Sequence, residues 1–307
     1  MRVTDQQIFG LVLNQFQSIS QKTLEAQQQV SSGKRVSKPS DDPVAFGRIV
    51  LDKSDLAQHG QWLRNIDSGS TRLAVADGTL GQVGTILSRL KELAVRARSD
   101  TNTANDRNVT AKEVRSLHRE LLQLSNTEIN GQRIFSGTKT DVAPFVLGAS
   151  DTVTYVGNDE TQSIPVGQNQ TIQVTLPGSQ VFTGATTNVF TSVKNLLAAL
   201  ETNNGIGIET GIGDLDQAIS QVADARGQVG ALDNRLTTTK SALEGTVDLI
   251  QAALSHNQDI DLAEAITNLT RQQTALEAAA RWATCCVLKG SGALQTLLFR
   301  RSYTDGS

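Results

Sequence analysis

The stretch LAVADGTLGQVGTILSRLKELA, residues 73–94, carries apolar side chains that alternate three and four positions apart. Its stripe consists of Leu73, Ala76, Leu80, Val83, Leu87, Leu90 and Ala94. This spacing is the heptad pattern of helices that pack side by side. A helix over 63–98 would be about 54 Å long at about 1.5 Å per residue. The stretch therefore predicts an elongated helical rod.

Other parts of the chain favour long helices in the same way. Apolar stripes of this kind run through 9–30, 114–124, 212–254 and 262–276. No proline lies between 44 and 143 or after 177, and proline is costly inside a helix. No aromatic residue occurs in 63–134 or 191–281, so these helices must pack through Leu, Val, Ile and Ala.

The middle of the chain has a different pattern. From 130 to 190 glycines recur, and apolar and polar residues alternate between them, most clearly in Thr171–Leu176 and around Val153 and Tyr155. A period of two, bounded by Gly and Pro, is typical of short antiparallel strands. Because the chain goes out, forms this unit and returns, the helical arms on either side must run antiparallel.

We therefore predict a mainly α fold: a long antiparallel coiled-coil rod formed by both chain termini, with a small β-rich domain inserted in the middle. The predicted segments are terminal coiled-coil assembly segments (1–45 and 256–307), a helical rod domain (46–137 and 205–255) and a β-rich outer domain (138–204). The seam between the arms should bury Leu80, Leu87, Leu121, Leu236 and Leu243 together. The β-rich insertion should face outward, so that 146–190 could be removed from a rod that still folds.

The charges of the two arms are opposite. Residues 84–140 contain ten Lys or Arg and six Asp or Glu, whereas 201–264 contain three Lys or Arg and eleven Asp or Glu. These charges either attract across the seam and help to set its register, or belong to solvated faces, where each exposed pair contributes little.

The composition excludes several classes of partner. The net charge of -3 offers no basic footprint for nucleic acid. No apolar run is long enough for a membrane span, and the first residues do not resemble a cleavable signal peptide. The adjacent Cys285 and Cys286 provide neither a disulfide framework nor a zinc site.

The sequence offers few residues for chemistry. His59, His118 and His256 are isolated in helical stretches, where surface or packing roles are commoner than catalysis. The pair Asp41–Asp42 could serve a metal or acid–base chemistry, but SKPSDDP is better explained as a helix start, with Ser40 or Asp41 as the cap and Pro43 in the first turn. Gly227–Gly230 lies within a heptad rather than after a strand, which argues against a phosphate loop. We expect no catalytic residue, no cofactor and no metal.

Three motifs resemble the flagellin superfamily. Val30–Pro43, with the letters VSSGKRVSKPSDDP, resembles its N-terminal signature, and Ala225–Leu236 resembles its Arg-x-x-x-Gly-Ala-x-x-Asn-Arg motif. The segment from Asp259 to Gln273 is similar to its last coil. The resemblance covers roughly 1–145 and 205–280.

Two features resemble the superfamily members at the junction between hook and filament more than flagellins. The segment at 39–45 reads PSDDPVA rather than SAKDDAAG, and Asn130–Thr140 is similar to the junction pattern NGQYxFSGTKT. This resemblance implies a structural flagellar subunit that serves motility, is secreted by type III export, and forms a ring in the extracellular flagellum. It also implies a hook-associated protein as partner on the hook side, filament-side subunits on the other, and an export chaperone beforehand. The alternatives are a flagellin-like filament subunit, or a binding module or enzyme on a coiled-coil stalk.

The stripes at the two ends have no globular mass to bury them, so they are candidate contact surfaces for other subunits. The candidate assembly interface consists of Phe9, Val12, Phe16, Ile19, Leu262, Ile266, Leu269 and Leu276.

The end of the chain departs from the superfamily pattern after about residue 280. It continues with Trp282 and the cysteine pair, then Gly290 and Gly292. Natural divergence with an extra tail and a shifted reading frame both explain this departure. A shifted frame predicts that the last coil stops near residue 289, since each glycine costs about 1 kcal/mol relative to Ala inside a helix.

Overall fold

The computed structural model describes residues 2–184 and 187–301, except for the side chains of 2–6, 8, 9, 12, 150 and 283–301. Its backbone forms two compact units. The terminal unit contains the residues up to Leu56 and those from Asp248 onward, and the central unit is Ala57–Val247. No helix in the described part of the chain is long and apolar enough to cross a membrane.

The fold is mainly α, as predicted, with short strands confined to its middle. The helices are α1 (Arg2–Ser32), α2 (Pro43–Arg98), α3 (Ala104–Ser125), α4 (Gly178–Phe182), α5 (Val189–Glu201), α6 (Gly205–Gln258) and α7 (Leu262–Arg301). The strands are β1 (Glu128–Ile129), β2 (Gln132–Arg133), β3 (Phe145–Leu147), β4 (Val153–Tyr155), β5 (Ser163–Gly167) and β6 (Gln170–Gln173). The backbone of α7 continues to Arg301, so the helix does not end near residue 289, where a shifted reading frame would predict its end.

In the central unit α2 and α6 run antiparallel, and the predicted heptad seam lies between them. Leu80, Leu87 and Leu236 are fully buried there, and Leu121 of α3 joins the same cluster. Leu243 is only half-buried, contrary to the prediction. It lies about one turn beyond Lys240, which pairs with Asp67 near one end of this seam.

Opposite charges do meet across the helices of the central unit. Three ion pairs join basic residues of 84–140 to acids of 201–264: Lys91–Asp216, Arg98–Glu209 and Arg115–Glu201. Nearer the start of α2 the signs of the charges are reversed, because α2 contributes the acid in Asp77–Arg226 and Asp67–Lys240. Exposed pairs contribute little stability each.

The strands form three two-stranded antiparallel sheets, β1–β2, β3–β4 and β5–β6. Asn130 and Gly131, both with positive φ, form the tight turn of the first hairpin, as expected for Asn-Gly. Gly137 also has positive φ, and a Cβ there would lie 2.3 Å from the backbone oxygen of Asn158. Both glycines belong to the NGQRIFSGTKT segment, so that motif encodes two backbone conformations that other residues rarely adopt.

The β-rich segment lies in the middle of the chain, as predicted, and it shares its core with the helices. Phe145, Ile172 and Phe190 belong to the same buried cluster as Leu80 and Leu87. At Gly69 of α2 an added Cβ would lie 2.8 Å from both Ile164 and Val174, so the β5–β6 region packs directly on the helix backbone. Removing 146–190 would therefore open the shared core. Alternation along the sequence indicates strands but does not say which helix covers them.

Candidate assembly surface

The terminal unit is organised around the loop between α1 and α2. Gly33, with φ of +67°, ends α1, and Val36 then inserts into a small buried cluster with Ala45 and Ile49 of α2. Phe46 and Leu254 pack on this cluster from its edge. Val36 is 1% exposed and Ile49 is 2% exposed, so the loop holds the local core of the unit.

Asp41 closes the turn inside this loop. Its Oδ2 accepts hydrogen bonds from the backbone N–H groups of Ser37 and Lys38, at 3.0 and 3.1 Å, and from the Ser37 hydroxyl at 3.2 Å. The Ser37 backbone bond is the main reason that the pKa of Asp41 is lowered, since it favours the charged carboxylate. Every carboxylate contact described is structural, so Asp41 acts as a turn residue.

Asp42, rather than Ser40 or Asp41, caps α2. Its Oδ1 accepts from the backbone N–H groups of Val44 and Ala45, at 3.1 and 3.0 Å, and Pro43 occupies the first helical position. The bond from Ala45 is the largest cause of the lowered pKa of Asp42, and Arg35 at 3.6 Å adds to it. The prediction of a helix start is confirmed, and the capping residue is corrected. Adjacent acids look equivalent in a sequence, and only the backbone path separates their roles.

The same loop connects the two ends of the chain. The backbone N–H of Arg35 donates to the Gln258 carbonyl at 2.7 Å, and that of Ile260 donates to the Gly33 carbonyl at 3.1 Å. The Arg35 guanidinium donates to the Asn257 carbonyl at 2.9 Å. These bonds join the VSSGKRV segment to the segment before α7 as a short antiparallel bridge. Two motifs that are more than 200 residues apart thus form one structural joint.

The acidic residues of the DIDLAE segment complete this joint. Asp259 Oδ2 accepts from the Ser255 hydroxyl at 2.6 Å. Asp261 Oδ1 accepts from the backbone N–H of Ala263 at 2.9 Å and, less closely, from that of Glu264 at 3.3 Å. Asp261 is therefore the N-cap of α7, a position at which Asp is one of the preferred residues.

The paired helices α1 and α7 carry the predicted assembly residues. Phe16, Ile19, Leu269 and Leu276 are half-buried. Leu262 and Ile266 are each 53% exposed. Phe9 and Val12 lie outside the described side chains. Among the described side chains of α1 and α7, Thr23 and Ala265 are buried, and both are absent from the predicted set. Thr23 lies on the apolar stripe of 9–30, whereas Ala265 was missed because a small residue gives a weak hydrophobic signal.

Exposed apolar side chains are concentrated in the terminal unit. It contains ten of the seventeen exposed large hydrophobic residues in the described part of the chain. They are Leu11, Leu13, Leu24, Val44, Val50, Leu51, Leu249, Leu262, Ile266 and Trp282. Contiguous exposed apolar patches are typical of protein contacts, so these residues are candidate contact residues. We call this set of ten residues the terminal apolar surface.

The histidines and the glycine segment that were considered for chemistry all lie in helices. The ring of His59 packs edge-on against Trp62, and His118 is buried against Phe190. His256 is exposed in α6. Gly227–Gly230 lies inside α6. Among the described residues no three His, Cys, Asp or Glu side chains are grouped as a metal would require.

Comparison with known proteins gives consistent matches. Residues 10–140 match the model of the bacterial flagellin N-terminal helical region, and 212–284 match that of the bacterial flagellin C-terminal helical region. Flagellar hook-associated protein 3 of Salmonella typhimurium is 25% identical over 302 residues, covering 91% of this chain and 94% of that protein. The flagellin of Bacillus subtilis is 30% identical over 266 residues, covering 83% of this chain and 84% of that protein.

A solved structure shares the fold. Flagellar hook-associated protein 3 of Legionella pneumophila superposes with a TM-score of 0.61 over 68% of this chain and 98% of that one, at 16% sequence identity. At that identity the likeness concerns the fold alone.

Proposed function

Because the chain belongs to the flagellin family, we infer that it is a structural component of the bacterial flagellum, and we propose that it joins the hook to the filament. The observation that carries this proposal is the match to the Salmonella hook-associated protein 3, which extends over nearly the whole of both chains. The NGQRIFSGTKT segment supports the same assignment.

In this proposal the chain is exported and forms a ring with other copies of itself. The assembly segments are 1–45 and 256–307, and the terminal apolar surface becomes buried between subunits. A hook-associated protein binds on one side and filament-side subunits on the other, after an export chaperone has released the chain. The role requires no catalytic residue, and we assign none.

Deletion of the gene in its own organism tests the place in the flagellum. A junction subunit predicts intact hooks without filaments, and release of filament protein into the medium, both visible by electron microscopy and blotting. A plasmid copy of the gene should restore filaments. Normal filaments on the deletion strain would contradict the proposal.

The second candidate is a filament subunit, which is favoured by the 30% identity to the Bacillus subtilis flagellin. A flagellin should polymerise into long filaments when it is the only protein present. A junction subunit should stop at rings or short oligomers. Electron microscopy of the purified chain separates the two.

The assembly surface is tested by a double substitution, Leu262→Ser with Ile266→Ser. Both side chains are exposed, so the monomer should fold normally while filament formation in cells falls. The matched control is Val146→Ser with Leu147→Ser, two side chains of similar exposure in the β-rich segment. Equal motility of both variants would show that Leu262 and Ile266 are not subunit contacts.

A further inference from the structure

A half-buried arginine of the central unit faces a cleft and has no acidic partner among the described residues. Arg72 lies on α2, at the edge of a partly open cleft of about 300 Å³. The cleft is lined by Ser68, Gly69, Gln162, Ser163, Ile164 and Val174. Its walls thus combine one cation and two hydroxyls with two aliphatic side chains.

The guanidinium has few acceptors. Its Nη1 donates to the Gln162 side-chain oxygen, and its Nη2 donates to that of Gln132 at 3.3 Å. A guanidinium has five N–H donors, and here the buried Nε has no acceptor among the described residues. Both amides are neutral, and burial lowers the pKa of Arg72 without an acid to oppose it. Nearby acids are engaged elsewhere, Asp67 by Lys240 and Asp233 by Ser70.

Six other arginines of this unit have acceptors of a different kind. Carboxylates pair with Arg89, Arg98, Arg115, Arg133 and Arg226. The buried Arg107 donates to two backbone carbonyls and to an asparagine oxygen. Arg72 therefore combines a desolvated charge with unused donors, an arrangement that an incoming anion would stabilise.

We propose that this cleft is a binding site for a carboxylate on a short apolar stem. The carboxylate would accept from the Arg72 guanidinium and from the hydroxyls of Ser68 or Ser163, while the stem packs against Ile164 and Val174. A glutamate side chain of a second copy and a free aliphatic dicarboxylate share this chemistry. The site does not depend on the proposed role at the hook.

Calorimetric titration of the purified full-length chain with glutarate, at constant ionic strength, tests the site. The parent should show saturable binding, and Arg72→Gln should weaken it by about tenfold or more, as expected for a lost charge-assisted contact. The matched control is Arg64→Gln, since Arg64 lies on α2, is exposed and donates to Gln61. No saturable binding by the parent, or equal binding by the parent and Arg72→Gln, overturns the proposal.

Gln162→Glu provides a second variant that does not remove the arginine. It places a carboxylate on the Arg72 guanidinium from within the chain. We expect loss of glutarate binding, because the new carboxylate occupies the guanidinium. Undiminished glutarate binding by this variant would contradict the site.

Sedimentation velocity distinguishes the two sources of the carboxylate. If glutarate reduces self-association of the parent and Arg72→Gln associates weakly by itself, the ligand is a side chain of a second copy. If glutarate binds and self-association is unchanged in both proteins, the ligand is a free carboxylate.

Discussion

The two compact units differ most in how they bury apolar surface. The central unit has one continuous cluster of buried residues, which α2, α3, α5, α6 and the β-rich segment all contribute to. Among the described side chains of the terminal unit, the buried cluster has three members, Val36, Ala45 and Ile49. The described helices of the two units therefore pack around buried clusters of very different size.

The difference suggests that each unit is stabilised in its own way. Hydrophobic burial is the dominant favourable contribution to folding, and the central unit obtains it within one chain. The described part of the terminal unit combines a small buried cluster with the hydrogen bonds of its joint, and the terminal apolar surface stays in water. Burial of that surface by other subunits would supply what its own core lacks.

Removing 146–190 should have the largest effect. We expect this deletion, closed by a short Gly-Ser linker, to abolish the cooperative thermal transition of the central unit, because it removes Ile172, Phe182 and Phe190 from the shared core. Deletion of residues 1–42 should leave that transition nearly in place. Thermal unfolding of both deletion variants, followed by circular dichroism, measures the two effects. A sharp transition after deletion of 146–190 would show that the β-rich segment is an independent insertion.

Truncation of one core leucine should act next most strongly. Leu87 is fully buried, so Leu87→Ala should lower the free energy of unfolding by about 3 kcal/mol through lost burial and the cavity left behind. Leu249, in the terminal unit, is 73% exposed. Leu249→Ala should therefore change the free energy of unfolding by less than about 0.5 kcal/mol. Urea unfolding of both variants measures the difference. Similar values for the two would mean that the terminal unit has a core comparable to the central one.

Two arginines make similar bonds in the two units and sharpen the contrast. Arg107 is 7% exposed and its Nε donates to the Ala97 carbonyl at the end of α2. Arg35 donates to the Asn257 carbonyl from a half-exposed position. Arg107→Met should cost about 2 kcal/mol, because the carbonyl of the buried Ala97 loses its donor. Water can replace Arg35 in Arg35→Met at a cost below about 1 kcal/mol. The same urea titrations apply, and a larger loss for Arg35→Met would reverse the ranking.

The helices were predictable because their signal is local. Leu73, Leu80 and Leu87 recur at heptad spacing, and all three are buried. The Asn130–Gly131 turn and the helix start at Pro43 depend on neighbouring residues in the same way. The flagellin-like motifs could likewise be recognised in the sequence. The joint shows that two of them, the VSSGKRV segment and the segment before α7, are in contact.

The sequence did not reveal contacts between distant segments. Nothing in the letters around Gly69 indicates that Ile164 and Val174 pack on it. Arg72 and Arg107 look like ordinary surface cations of a helix until the fold buries them. Their roles depend on which elements converge, and apolar periodicity does not report that.

The smallest expected difference between the units is their response to acid. His118 of the central unit is buried, and its Nε2 has no partner among the described residues. Burial lowers the pKa of His118 below 6.5, Asp151 opposes this shift and Arg119 adds to it. The folded state therefore binds fewer protons than the unfolded chain below that pH, and the central unit should lose stability as the pH falls through this range. In the terminal unit the pKa of Asp42 lies below 3.8, so its contribution is fully present above 3.8 and is lost only as the pH falls through the folded value.

Between about pH 6.5 and about pH 5 the stability of the two units should therefore respond differently to acidification. The thermal midpoint of the central unit should decline with acidification in the parent, and the decline should be reduced in His118→Gln, which cannot gain a proton. Asp42→Asn should keep the parental slope in this window and differ from it only below about pH 4. Differential scanning calorimetry across the pH series measures all three proteins. If His118→Gln followed the parent at every pH, the buried imidazole would not be the group that links central-unit stability to protons, and the acid response of the two units would have the same origin in carboxylates.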